Sequence, residues 1–309
     1  MLHADADWLA ISIAGSKRVR WDIDRDVVRA RRHERLGKCL PDAMTGAGQL
    51  GFVSEHEQLL LARVQARTYA QVAAAADRMM AFYAWRMPQV TREPAIEALV
   101  RMVDEKLKHR DLFLQLAREL ADHVPPGPAF ELDGAATEAV LELPRWALLG
   151  LALHTQLSAQ AHYRCALAAR PQLCPLWADV FLFHWKEEAQ HAMLVESAWR
   201  AEDRLLDDDA RERAAGELLE ALGHFASRLD RQAAGDADCF LAAARRLFTM
   251  GERAALRACV RDAYRRQHIV QGLEEPRLAA TIASLLAPGQ LQRWNARGMA
   301  LVSDTHSTS

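Results

Sequence analysis

The sequence predicts an all-α protein. Ala, Leu and Arg are abundant, whereas aromatic residues make up only 7% of the 309 residues, and this balance favours helices over strands. No segment of useful length alternates between apolar and polar residues as a half-buried strand does. Stretches with helical periodicity are instead separated by short links that contain proline or glycine. Four long helices joined by such links predict an antiparallel bundle, with further helices after it.

Capping and proline signals predict the helix boundaries. Ser54 followed by Glu57 is a capping box, and the first long helix should extend from there to about Trp85. The remaining predicted helices extend over about 93–123, about 137–169 with a bend near Pro144, about 176–204, about 210–232, about 237–270, and about 273–302 with a break at Pro288.

A single domain can hold all of these helices. Residues 1–50 predict an irregular N-terminal arm packed on the bundle, because turn signals lie at Pro41–Asp42 and near Gly46. The bundle itself should occupy residues 51–205, and residues 206–302 should add the C-terminal helices. The polar residues 303–309 predict a disordered tail.

Charge argues against nucleic acid as a partner, hydropathy argues against a membrane span, and cysteine usage indicates the cellular compartment. The formal net charge is −2, and acidic residues interrupt the basic stretch Lys17–Lys38, so we expect no nucleic acid. No 18-residue apolar run exists, so we expect no membrane span. The scattered cysteines never form C-x-x-C and predict reduced structural thiols in a cytoplasmic protein, with a homodimer as one option for its assembly.

The stretch FLFHWKEEAQHAML, residues 181–194, carries the strongest chemical signal. His184, Glu188 and His191 fall within about 60° of arc on one helix face, so two imidazoles and a carboxylate converge there. This ligand set suits iron, manganese or zinc. Glu187 lies off the face and should meet solvent or support the ligands from behind. An amphipathic helix with incidental histidines is the alternative, but the apolar neighbours indicate a buried helix, in which charges need partners.

The second predicted helix should complete such a site. Bundle metal centres use a Glu from each of two helices and a Glu-x-x-His motif from each of the other two. Glu188-x-x-His191 is one motif. The second helix offers His109, but Lys106 stands three positions before it. Glu105 lies about 40° around from His109 and is a less favoured substitute.

Five stretches resemble the ferritin-like di-iron family that includes p-aminobenzoate N-oxygenase, and most closely a bacterial branch of unassigned function. They are WDIDRDVVRARRHERLGKCLPDAM, GFVSEHEQLLLARVQARTYAQV, DEKLKHRDLF, AQAHYR and PLWADVFLFHWKEEAQHAML. They occur in order over roughly residues 20–200. The resemblance implies a ferritin-like four-helix bundle that holds non-haem iron.

The resemblance also implies a set of metal ligands, with three departures. His184, Glu188, His191 and His109 match the family pattern, whereas the family has glutamate at the positions of Asp77, Lys106 and Gln156. It implies that the fourth-helix residues and Gln156 keep one metal site, while Lys106 replaces the second metal beside Asp77 and His109. An ammonium cannot coordinate a metal while it is protonated.

Counting the charges of Asp77, Glu188 and Lys106 favours fewer metals than the family has. The three groups sum to −1 with neutral histidines, to +1 with one divalent ion and to +3 with two. One iron ion is therefore expected rather than two, with manganese as an alternative metal. A metal-free state, in which these three side chains form a structural ion-pair network, remains open.

The functional expectation is an oxygenase or oxidase that uses molecular oxygen and acts on a small organic molecule. Glu188 would act at the metal, and Lys106 would donate a proton or hold a substrate anion. The alternatives are a metal-free ferritin-like binding or interaction protein and an iron or oxygen sensor. His154 and His162 lie off the Gln156 face and should have core or surface roles, and Tyr163 should pack or support the site.

Overall fold

The computed structural model describes residues 3–28, 36–85 and 93–303, and this part of the chain is all-α. Its only extended pairing is an isolated bridge between Lys38 and Leu173. The helices are α1 His3–Arg18, α2 Asp42–Thr45, α3 Glu55–Trp85, α4 Glu93–Ala121, α5 Gly134–Leu141, α6 Arg145–Ala168, α7 Pro175–Asp203, α8 Asp208–Ala243, α9 Met250–Arg265, α10 Gln271–Leu273, α11 Pro276–Leu285 and α12 Pro288–Ser303. Two π-helices, Ile23–Val28 and Arg266–Val270, and two 3-10 turns, Ala47–Gln49 and Arg170–Gln172, complete this part.

The start of the first long helix was predicted correctly from its capping box. The Ser54 backbone N–H donates to Glu57 Oε2 over 2.8 Å, and the Glu57 N–H donates to Ser54 Oγ over 3.4 Å. Helix α3 then continues to Trp85, and α4 covers nearly the predicted range. Reciprocal capping satisfies two backbone donors, which explains why this boundary can be predicted from four residues.

The prediction of an irregular arm over residues 1–50 is wrong for residues 3–18, which form α1. Helix α1 packs against α4 and α7. Ile13 is buried there, and Ser16 Oγ donates to Glu105 Oε1 over 2.6 Å. Tertiary contacts therefore stabilise a helix whose own apolar pattern is weak. Residues 29–35 of the basic stretch and residues 304–309 of the predicted tail lie outside the described residues.

Two predicted boundaries are also wrong. Pro144 does not bend a single helix but separates α5 from α6, because its ring removes a backbone donor and its ψ of 142° is extended. Conversely, the break predicted between residues 232 and 237 does not occur, and α8 continues through Gly235 to Ala243. A Cβ on Gly235 would lie 2.6 Å from Pro128 Cγ, so this glycine permits close packing rather than a turn. The chain turns instead at Arg245, where φ is 53°.

Helix pairs define the interior around the site. Helix α3 packs along α4, and α6 packs along α7. Helix α8 packs on α6, and α9 packs on α8. Buried apolar side chains form two core clusters, one between α6, α7 and the C-terminal helices and one between α3, α4 and the start of α7. Among the described helices, none carries an apolar stretch long enough to cross a membrane.

Candidate metal centre

A buried group of charged and imidazole side chains lies where α3, α4 and α7 meet. Helix α3 contributes Asp77, α4 contributes Lys106 and His109, and α7 contributes the predicted face of His184, Glu188 and His191. We call these six residues the His–carboxylate cluster. All six are buried, and Lys106 and His109 are 0% exposed. Six of the seven predicted site residues are thus brought together, and the seventh, Gln156, makes no hydrogen bond to them.

Four residues of this cluster, Asp77, His109, His184 and Glu188, each offer a donor atom within 4.8 Å of the others. Asp77 Oδ2, Glu188 Oε2, His109 Nδ1 and His191 Nδ1 are buried and lack a hydrogen-bond partner. Unsatisfied buried polar atoms are costly, and a cation would satisfy them. Imidazole and carboxylate donors fit iron, manganese or zinc, so the residues present fit a metal ion.

Lys106 already bridges the two carboxylates of this cluster. Its Nζ donates to Asp77 Oδ1 over 3.0 Å and to Glu188 Oε1 over 2.5 Å. Burial would lower the pKa of Lys106, but the charges of Asp77 and Glu188 outweigh burial and raise it. Burial likewise opposes ionisation of Glu188, yet Lys106 and His191 hold the pKa of this carboxyl well below its usual range. Lys106 is therefore a permanent positive charge that occupies one oxygen of each carboxylate.

Glu187 supports His109 from behind. Of the two roles predicted for Glu187, contact with solvent is therefore wrong, and support of a cluster histidine is observed. Glu187 is 0% exposed, and its Oε2 lies 2.7 Å from His109 Nε2. Lys108 Nζ donates to the other oxygen over 2.5 Å. Because a carboxylate accepts from Nε2–H, the Nδ1 of a neutral His109 is left with its lone pair toward the cluster. This is the tautomer that a metal ligand requires.

Glu105 supports His191 in the same way. Glu105 Oε2 lies 2.7 Å from His191 Nε2, while His191 Nδ1 lies 3.4 Å from Glu188 Oε1. Burial raises the pKa of Glu105, but the hydrogen bond from His191 outweighs it and the net shift is downward. Glu105 therefore orients a histidine from behind and does not substitute for a ligand at the Lys106 position.

The protonation of the three cluster histidines differs in the absence of metal. Burial lowers the pKa of His109, but the hydrogen bond to Glu187 and the close approach of Glu188 Oε1, 3.1 Å from Nδ1, raise it to about 9. The pKa of His191 is also raised, because the charge of Glu188 and the bond to Glu105 exceed the effect of burial. Burial dominates at His184 and lowers its pKa, although its Nε2 lies 3.3 Å from Glu188 Oε1. A carboxylate on both sides of the ring thus favours the imidazolium form of His109 and of His191.

Gln156 of α6 is buried, but no hydrogen bond or ion pair of the described residues joins it to the cluster. Its Nε2 lies 4.0 Å from Met80 Sδ, and its Oε1 has no hydrogen-bond partner. The predicted ligand role of Gln156 therefore stays a prediction.

Two further histidines of α6 lie in the core, which is one of the two locations predicted for them. His154 Nε2 lies 2.9 Å from the Ile269 carbonyl oxygen. His162 Nε2 lies 2.7 Å from the carbonyl oxygen of Gln267. Tyr163 packs by stacking on Trp185, with 4.4 Å between the ring centroids.

Sequence reasoning missed Trp21 and the full charge of the site. Trp21, from the arm, stacks on His109 at 6.1 Å between ring centroids. Glu105 and Glu187 bring the number of buried carboxylates to four, and Lys108 adds a second ammonium group. With neutral imidazoles the site sums to −2 rather than −1, so one divalent ion would make it neutral. A signal for Glu187 existed, since it precedes Glu188 on a helix that is apolar on nearly all sides.

Comparison of the chain with protein-family models, with curated proteins and with solved structures gave no match. The fold and the site are therefore interpreted from their own geometry.

Proposed function

We propose that this protein is a ferritin-like non-haem metal oxidoreductase, of the oxygenase or oxidase type, that acts on a small organic molecule. The convergence of donor atoms from Asp77, His109, His184 and Glu188 within 4.8 Å carries this proposal. Carboxylates behind metal-binding histidines fix the ring orientation and raise the basicity of the ligand. Glu187 and Glu105 supply this support to His109 and His191.

One iron ion, or manganese in its place, fits the charge of the site better than two. Four carboxylates and two ammonium groups leave −2 with neutral imidazoles, and one divalent ion balances that charge. Lys106 occupies one oxygen of Asp77 and one of Glu188, which leaves the second oxygen of each for a metal. When bound, a redox-active metal with open ligand positions supplies the activation of molecular oxygen.

The protein's own residues would then hold the reacting groups and exclude water. Lys106 keeps its proton and supplies a fixed positive charge next to the carboxylates. Glu188 contacts Lys106 and all three cluster histidines, so it sets their relative positions. The cluster is buried, so bulk water is excluded from the charges that react.

A metal-free binding or interaction protein is the second candidate, and one observation favours it. The Lys106 ammonium is 0% exposed and already pairs with Asp77 and Glu188, so it can replace the charge of a metal. In this candidate the cluster only stabilises the fold.

Substitution of Lys106 by glutamate distinguishes the two candidates. Wild type, Lys106→Glu and the control Arg118→Glu, at an exposed position of the same helix, would be purified without a metal-binding tag, stripped with a chelator and reloaded with ferrous iron. Elemental analysis and thermal unfolding would follow, with and without iron. We expect at most one iron per chain in wild type, more in Lys106→Glu because it restores Glu-x-x-His, and no gain in Arg118→Glu.

The outcomes separate clearly. Iron uptake with stabilisation of Lys106→Glu only in the presence of iron supports the oxidoreductase. No uptake by either protein, together with a large loss of stability in Lys106→Glu, leaves the metal-free candidate. Two irons per wild-type chain would show that Lys106 does not limit the site to one metal.

A further inference from the structure

A large apolar cavity lies beside the His–carboxylate cluster, between α3, α5, α6 and α8. Its volume is about 850 Å³, which is within the range of small-molecule sites, and we call it the outer cavity. Most of its wall is hydrocarbon, including Val72, Phe130, Leu132, Val140 and Leu151. A molecule that fills this space must therefore have a body that is mainly hydrocarbon.

The outer cavity adjoins a smaller one of about 60 Å³, the inner chamber, whose wall includes Asp77, Lys106, His184 and Glu188. Both spaces are lined by Val72, Ala76, Met80, Thr155 and Phe225, and we call this shared boundary the neck. Ala76 precedes Asp77 in α3, so the neck lies next to a cluster carboxylate. The inner chamber has room for a group of a few non-hydrogen atoms, whereas the outer cavity has room for the rest of a molecule.

The outer mouth of the cavity favours neither anionic nor cationic ligands. Its polar rim lies on α8 and contains two carboxylates and two guanidinium groups, Glu217, Glu220, Arg228 and Arg231. Arg228 donates to Asp133, and Glu220 accepts from Arg297. The rim therefore has no net charge, and part of it is already paired, which favours an uncharged ligand.

One side of the inner chamber offers a polar group to such a ligand. Tyr69 and His162 bond to each other, and Ser158 donates to the backbone of its own helix. His268, also in the wall, makes no hydrogen bond to any described residue. It belongs to the π-helix Arg266–Val270, a geometry that occurs frequently at functional sites. Burial lowers the pKa of His268, so the neutral ring has an acceptor nitrogen.

We propose that the outer cavity and the inner chamber form one binding site for a long-chain primary alcohol or a similar neutral amphiphile, with its hydrocarbon body in the outer cavity and its hydroxyl group against His268. The proposal rests on the proposed function, since it names the substrate class of that site. An alkylammonium head would instead bring a second positive charge next to Lys106.

Displacement of the neutral fluorescent probe N-phenyl-1-naphthylamine by 1-hexanol, 1-heptanol, 1-octanol and 1-nonanol tests the proposal on the whole, metal-free protein. Each added methylene should tighten binding by about fourfold. Ala76→Leu narrows the neck and should weaken 1-nonanol binding by at least about tenfold, because burial of two or more methylenes is lost. Ala254→Leu, at an exposed position of α9, is the matched control and should bind as wild type does.

His268→Phe tests the position of the hydroxyl group separately. Wild type should prefer 1-nonanol over methyl octyl ether by about fivefold, the value of one net hydrogen bond, and His268→Phe should lose this preference. If Ala76→Leu does not fold, His268→Phe still tests the proposed binding site. No probe binding, no dependence on chain length, or an alcohol preference that survives in His268→Phe would overturn the proposal.

Failure of this inference is distinguishable from failure of the proposed function. Because binding is measured in the presence of a chelator, alcohol binding without iron uptake would overturn the oxidoreductase alone. Iron uptake without alcohol binding would overturn the ligand class and leave the metal centre.

Discussion

Two groups of buried histidines differ in their charge although both are fully enclosed. In the core of α6, burial lowers the pKa of His154 and His162 to about 4, and each ring bonds to a backbone carbonyl. In the His–carboxylate cluster, the pKa of His109 is raised to about 9. Burial opposes the charged form in both places, so the neighbouring carboxylates decide the charge.

The carboxylate partners distinguish the cluster rings from the core rings. A neutral core ring donates one N–H to a backbone carbonyl oxygen, and His162 also bonds to the Tyr69 hydroxyl group through its second nitrogen. A ring between two carboxylates holds a proton that a metal ion can replace, because metal binding requires the unprotonated nitrogen. His184 shows that position alone is not sufficient, since its pKa is lowered even within the cluster.

The largest expected effect is the loss of stability in acid caused by the core histidines. Their folded pKa values of about 4 lie below the unfolded value, so their contribution is complete above pH 6.5 and is lost as the pH falls through 4. The loss is about 3 kcal/mol for each ring and about 6 kcal/mol for the two rings together. His162→Gln should reduce the slope of unfolding free energy against pH by about 1.4 kcal/mol per pH unit between these values. Urea unfolding at several pH values measures it.

The matched control for this slope is His123→Gln, at an exposed position. It should leave the slope as in wild type. Equal slopes for wild type and His162→Gln would contradict the claim that His162 is held neutral by the fold.

The second-largest expected effect is the loss of stability that follows removal of the Lys106 charge. Lys106→Met keeps most of the side-chain volume but leaves Asp77 and Glu188 buried without their cation. In metal-free protein this should lower the free energy of unfolding by about 3–5 kcal/mol. Arg118→Met, at an exposed position of α4, should cost no more than about 1 kcal/mol. Similar losses in the two variants would mean that the cluster does not depend on a buried ammonium.

The smallest effect expected is the loss of stability in alkali caused by His109. Its folded pKa of about 9 lies above the unfolded value of 6.5, so its contribution is complete below pH 6.5 and is lost as the pH rises through 9. In chelator-treated protein the loss should be about 3 kcal/mol. His109→Gln should lack this pH dependence, whereas His123→Gln should retain it. Parallel curves for wild type and His109→Gln, from denaturant unfolding between pH 6 and 9.5, would contradict the raised pKa.

Local patterns predicted much of the fold and the members of the cluster. The helical face of His184, Glu188 and His191 depends only on residue spacing within one helix, and α7 places all three in the interior. The boundaries of α3 and α4 follow from local capping and proline signals. Helix α1 and the continuity of α8 through Gly235 could not be predicted, because packing against other elements determines them.

The sequence by itself determined the all-α class and the residue types that a buried metal centre would need, because both follow from local spacing. Only the tertiary structure decided that Glu105 and Glu187 stand behind His191 and His109, and that Lys106 joins Asp77 to Glu188. Each of these contacts links different helices, at separations of 78 to 86 residues for the histidine pairs. Their geometry depends on how each helix is rotated about its axis, and packing of the whole core sets that rotation.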